Sequence, residues 1–189
     1  MVSQTSCDEN FHVKIGGGVL KDQSGFTLIE ALVVMVVGVA VLAGAAAGIG
    51  RLFAASNVST EAQNITLIAT NIQSMKDGPQ GYKALSMATA KAFNVIPGNM
   101  TVSGDDKSPV VTNVWNGTVT FAPVSGDKSF DITYEGVPAE ACNQLALKLK
   151  GGGWETMQAG SASIKPESSL ADIDKACKAA GGKMVFRSR

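Results

Sequence analysis

From Phe26 to Gly50 the sequence is almost continuously apolar, and its only ionisable side chain is Glu30. Arg51 closes the run with a cation. As a helix, about 25 such residues reach across a ~30 Å hydrocarbon core, so the run has transmembrane length. A carboxylate within such a segment costs roughly 2.5–3.5 kcal/mol at the helix centre and less towards an end. Glu30 lies near the N-terminal end, which lowers the cost, but it still calls for a partner. Cutting the Gly25–Phe26 bond would create one, the α-amine of Phe26.

Gly25, then Phe26-Thr27-Leu28-Ile29-Glu30, then a long apolar helix resembles the prepilin peptidase site of type IV pilins and their relatives. The motif is a small residue, the cut, an aromatic residue and a glutamate four positions on, leading directly into the hydrophobic helix. The resemblance implies that residues 1–25 are a leader removed by prepilin peptidase and that Phe26 is then N-methylated. It also implies that Glu30 pairs with the Phe26 amine of a neighbouring subunit during assembly. The length of the leader resembles the second subclass, type IVb, whereas phenylalanine as the first mature residue is more typical of the first subclass and of pseudopilins. A Sec-type cut near Ala45–Ala47 is the rival processing event; it would discard the Phe26–Glu30 motif and leave the glutamate without a purpose. An ordinary signal anchor is the other alternative.

With 189 residues, 16 basic and 16 acidic, the chain has room for one modest domain beside the membrane segment. Nothing in its charge balance points to nucleic acid. Loss of residues 1–25 would leave 14 basic and 13 acidic residues. The single histidine, His12, lies in the expected leader, so the mature chain has no Ser-His-Asp or Cys-His machinery. It also lacks the commonest zinc ligand and falls short of a four-ligand structural site. No catalytic residue, metal or cofactor is expected. Of three cysteines, Cys7 is in the leader and Cys142 and Cys177 are in the body. An exported pair is expected to be oxidised, free buried thiols being the alternative. The loop they would close, about 36 residues, corresponds to roughly 3–4 kcal/mol on the chain-entropy account. It resembles the disulfide-bounded C-terminal region that type IV pilins display along the fibre.

After Arg51, Leu52, Ala55, Val58, Ala62, Ile65, Ala69, Ile72 and Met75 recur at spacings of three and four, one face of a continuing helix. Ser56, Asn57, Glu61, Gln63, Asn64, Thr70 and Gln73 are placed on the opposite side, towards solvent, and Asp77-Gly78-Pro79 ends the helix. Within the membrane half, Gly38, Gly44, Gly48 and Gly50 stand among alanines. Small residues allow close helix packing in lipid, and interior glycines cost about 1 kcal/mol each in helix propensity. Ala43–Gly50 is therefore either a packing surface or the place where the helix extends when subunits leave the bilayer.

A second short helix is expected from Tyr82 to Phe93. Strands are expected at Val110-Val111, Val114-Trp115, Thr118–Phe121, Phe130–Tyr134, Trp154–Gln158, Ser161–Lys165 and Lys183–Arg187, and helices from Pro138 to about Lys150 and from Ser169 to Ala180. The sequence thus divides into a leader at 1–25, a hydrophobic assembly helix at 26–52, its amphipathic continuation at 53–76 and a globular head at 77–189. The expected fold is α+β, with one long N-terminal helix, transmembrane in its first half and packed in its second on an antiparallel sheet of four to six strands.

The resemblance implies a structural role, the major subunit of a type IV pilus. The protein would be held in the bacterial inner membrane as a prepilin, then polymerised with copies of itself by the inner-membrane assembly machinery into an extracellular fibre. Adhesion, aggregation and conjugative contact are the roles such a fibre serves. A minor pilin or a type II secretion pseudopilin is the alternative within the superfamily. A membrane-anchored periplasmic binding module is the alternative outside it.

Overall fold

The computed structural model describes residues 27–124 and 126–189. The expected leader and the Gly25–Phe26 bond lie outside them. The chain falls into two compact units, one ending at Ala45 and the other running from Ala46 to Arg189. Helix α1, Leu28–Ser74, contributes to both.

In the first unit every described residue is exposed, Leu28 at 85% and Met35 at 73% among them. No proline interrupts the run, so each amide can find its carbonyl within the helix, as a lipid environment requires. The helix is continuous through Ala43–Gly50. A Cβ added at Gly38, Gly44, Gly48 or Gly50 would meet nothing within 4 Å, so these glycines relieve no crowding among the described residues.

In the second unit α1 turns one face inward. Val58, Ala62, Ile65, Ile68, Ala69 and Ile72 are buried, as a three-and-four spacing demands. They join a core built on a seven-stranded antiparallel sheet of order β1-β2-β3-β4-β7-β5-β6. Its strands are β1 Thr101–Ser103, β2 Val110–Thr112, β3 Thr118–Pro123, β4 Phe130–Tyr134, β5 Thr156–Ala159, β6 Ala162–Ile164 and β7 Met184–Ser188. Alternation sets the inner face: Val119 and Phe121 on β3, Phe130, Ile132 and Tyr134 on β4, and Met184 and Phe186 on β7 are buried. Register aligns them, Phe121 with Ile132 and Ile132 with Phe186.

Three short α-helices complete the head: α2 Met87–Ala92, α3 Ala139–Leu149 and α4 Leu170–Ala179. The Ser169 side chain caps α4 by accepting from the Asp172 amide. Cys142 on α3 and Cys177 on α4 form a disulfide with Cα atoms 5.7 Å apart. Beside it the Asn143 amide donates to Asp174 at 3.0 Å.

Four expectations need correction. The sheet has seven strands rather than four to six, because Thr101–Ser103 adds an edge strand too short and too exposed to carry an alternating pattern. Val114-Trp115 is a turn, not a strand. The Asn113 carboxamide oxygen accepts from the Trp115 and Gly117 amides, and Asn116 takes a left-handed φ of 59°. Gly117 presses against the Glu135 carbonyl where no Cβ would fit. The helix expected from Tyr82 forms only from Met87, since the Tyr82 amide is spent on the Asp127 carbonyl at 2.6 Å and Ser86 caps with Thr89 as a reciprocal pair. Finally, Glu61 and Asn64, placed towards solvent by their polarity, are buried at 1% and 3% exposure.

Replacing both Cys142 and Cys177 with serine is expected to lower stability by about 3–4 kcal/mol, read as a lower denaturant midpoint in equilibrium unfolding with an unchanged helix content.

Candidate assembly helix and its anchor

Thr27 opens α1. Its carbonyl accepts from the Glu30 and Ala31 amides at 3.0 and 3.1 Å, and its hydroxyl lies 3.4 Å from Glu30 Oε2. Glu30 is thus held in the first turn, where the partial positive charge of the helix N-terminus favours an anion. Its carboxylate is exposed, and among the described residues no cation pairs with it. Beyond it an 18-residue apolar window of α1 has none of its residues buried. The described residues therefore present a carboxylate at the head of an apolar helix surface that none of them covers. Gly25 and Phe26, the other residues of the expected processing and assembly site, fall outside the described residues.

At its other end α1 is fastened by a buried carboxylate. Glu61 Oε1 accepts from the Val114 amide at 2.9 Å, and Oε2 accepts from the Tyr134 hydroxyl at 3.1 Å and from Asn64 Nδ2 at 3.3 Å. One side chain so ties α1 to the β2–β3 turn and to the middle of the sheet. Burial, and then the charge and hydrogen bond of Glu61, push the Tyr134 hydroxyl well above its ordinary pKa of 10. A second tie lies about three turns on, where Gln73 Nε2 donates to Ser188 Oγ at 2.9 Å and to the Arg189 carbonyl at 3.1 Å. The Glu61 anchor was open to sequence reasoning, because Val58, Glu61, Ile65, Ile68 and Ile72 keep the spacing of the core face; polarity hid it. Its partners, from a turn and a distant strand, carried no sequence signal.

The described residues gather no group of His, Cys, Asp and Glu able to hold a metal ion. Among the described residues, a concavity of about 540 Å³ is an open groove along α1 between Ser59, Gln63 and Leu67 on one side and Lys148 on the other. It brings together no acid, base and nucleophile.

Comparison with known proteins agrees with this arrangement. A family model described as a prokaryotic N-terminal methylation motif matches residues 20–46, which include Gly25, Phe26 and Glu30. A second, described as PilS N terminal, matches residues 55–188. The crystal structure of a type IVb pilin from Salmonella typhi is similar with a TM-score of 0.55 and 27% identity, over 68% of this chain and 97% of that one. A search of curated proteins finds no match. Helix and sheet together are those of a type IV pilin, a structural class of protein, and the chain belongs to the PilS family, in the type IVb subclass.

Removing the Glu61 carboxylate leaves a buried phenol and a buried amide without an acceptor, at about 1–3 kcal/mol each. Glu61→Ala is expected to be the more destabilising and Glu61→Gln the milder substitution, in thermal or denaturant melts. The pH dependence has a definite sign. Tyr134, with Tyr82 raised in the same direction by burial, keeps its proton in the folded chain after the unfolded chain has lost it. That contribution is complete below pH 10 and is lost as pH rises above 10. Tyr134→Phe is expected to flatten the alkaline limb of the stability profile.

Proposed function

We propose that this chain is the major subunit of a type IV pilus, cut after Gly25 by prepilin peptidase, methylated at Phe26 and polymerised through residues 26–52. The observation that carries the reading is the apolar half of α1, exposed along its length in the single chain and continuous with a helix built into the head. Leaving that surface in water costs about 25 cal/mol per Å², so it belongs in lipid before assembly and against the helices of other copies after it. The prepilin waits in the inner membrane and the fibre stands outside the cell.

Glu30 supplies the register. Within the apolar bundle its carboxylate is neutralised by the methylated Phe26 amine of a neighbouring copy, and a subunit seated at another height leaves both charges unpaired. The uncrowded glycines, Gly38, Gly44, Gly48 and Gly50, let neighbouring helices approach closely. Copies related by one repeated, non-closing contact form a helical fibre. The head contributes the outer surface, used for adhesion, aggregation or mating-pair contact, and no cofactor enters.

Two measurements test this. Protein from sheared cell-surface fractions is expected to begin at methylated Phe26, with an intact mass two hydrogens below the reduced value; a chain keeping Met1, or starting near Ala45, would overturn the assignment. Glu30→Val is expected to insert in the membrane normally yet yield no fibres, and abundant fibres from that variant would remove the role given to Glu30.

A further inference from the structure

Three concavities run into one another along the second half of α1. The groove of about 540 Å³ beside Ser59 and Gln63 shares Thr66 and Leu149 with a cleft of about 140 Å³. That cleft in turn shares Gln73, Gly153 and Ser188 with a hollow of about 380 Å³. On the α1 side the wall is Ser59, Gln63, Thr66, Thr70 and Gln73, spaced by four, three, four and three residues. Such spacing makes one stripe of the helix, about 21 Å long at 1.5 Å per residue. Between Arg51 and Lys76 the one ionisable side chain of α1 is Glu61, and it is buried in the core. The stripe is therefore polar without charge. Ala62, Ala69 and Leu149, all buried, give the groove an apolar floor.

In the middle cleft the side chains leave a definite set of hydrogen-bonding groups. The Thr66 hydroxyl donates to the Ala62 carbonyl and the Thr70 hydroxyl to the Thr66 carbonyl, both at 2.9 Å, so each keeps lone pairs to accept with. Gln73 donates through Nε2 to Ser188 Oγ and to the Arg189 carbonyl, which leaves its Oε1 as an acceptor and the Ser188 hydroxyl hydrogen as a donor. Opposite them Trp154 Nε1 is covered and has no acceptor among the described residues. A buried donor without a partner is rare and calls for an explanation. Its cover includes the glycine turn after α3, where a Cβ at Gly152 would stand 2.9 Å from it. Charges lie only at the ends of the groove, Lys148 at one and the Glu155–Arg189 pair at the other.

We propose that this groove binds a neutral, linear oligosaccharide. The inference does not depend on the fibre reading. Three acceptors and two donors in one cleft suit a ligand whose groups both donate and accept, as sugar hydroxyls do. An anion would face the lone pairs of Thr66, Thr70 and Gln73, and a cation would find no carboxylate there. The apolar floor takes the C–H faces of the sugar rings, and the length of the stripe accommodates several rings in a row. As the glycine turn adjusts to the ligand, the Trp154 N–H gains the acceptor it lacks.

The test uses the full-length, ¹⁵N-labelled chain in a sugar-free detergent, titrated with cellohexaose, maltohexaose and chitohexaose to low millimolar concentration. The chain has two tryptophans, Trp115 and Trp154, so two indole N–H signals report. With at least one of the sugars, the Trp154 signal is expected to move saturably while the Trp115 signal stays in place. Calorimetry with that sugar is expected to show binding about fivefold weaker in Thr70→Val and about tenfold weaker in Trp154→Phe, which keeps an aromatic ring and loses the donor. An unmoved Trp115 signal shows that each variant is folded, and Thr70→Val, on an exposed helix position, carries the test if Trp154→Phe does not fold. No binding of any of the three sugars would overturn the proposal. Binding unchanged in both variants would place the sugar elsewhere and overturn it too. Tighter binding of hexagalacturonate than of the neutral sugars would overturn the neutral selectivity. A Trp154 signal that moves with protein concentration and not with sugar would give the groove to a second copy of the chain instead.

Discussion

One helix has to satisfy two surroundings, and the rest of the structure follows from that. Up to Ala45, α1 has no partner for its apolar surface among the described residues of its unit. From Val58 to Ile72 the same helix is a core element, its inner face buried to the last few per cent. A soluble domain would place its longest apolar run inside itself. Here the longest run has no buried residue among the described ones, and the core is assembled from the shorter, interrupted pattern that follows. The head thus has a core of its own, to which the helix contributes from Val58 onward.

The anchor between helix and sheet is polar as well as apolar. A buried carboxylate without a cation is costly unless its lone pairs are filled, and Glu61 fills them from three directions, its own helix, a turn and a central strand. Apolar packing alone tolerates a helix that slides or rotates by a few degrees. A carboxylate with fixed donors does not, so the angular setting of α1 on the sheet is specified at Glu61 and again at Gln73.

Much of this was legible in the sequence. The extent of α1 was readable because an uninterrupted apolar run and a three-and-four repeat are signals within one segment, and Asp77-Gly78-Pro79 marks its end. Strands β3, β4 and β7 were readable from alternation, and α3 and α4 from their stops at Gly151 and Gly181. What escaped depended on partners remote in sequence. The turn at Val114-Trp115 has a strand-like composition, and only the fan of hydrogen bonds from Asn113 folds it back. β1 exists because β2 offers it an edge, with Thr101 opposite Thr112 and Ser103 opposite Val110. Glu61 was misplaced because its polarity was weighed above its position in the repeat. At the N-terminal motif the sequence carried more than the described residues do, since Gly25 and Phe26 lie outside them and the roles proposed for them and for Glu30 concern processing and contacts between chains.

Strand β7 lies between β4 and β5 in the sheet, yet it is the last of the seven strands in chain order. Neither the β1–β4 meander nor the β5–β6 hairpin touches the other through a strand pair until Met184–Ser188 slides between them. The disulfide encloses β5, β6 and most of α4 but not β7, so it can close a subdomain that still lacks its central neighbour. Folding of the head is therefore a long-range event completed from the C-terminal side, the kind of topology that folds slowly. Without Met184–Ser188, the β4 and β5 edges that it joins would both be left unpaired.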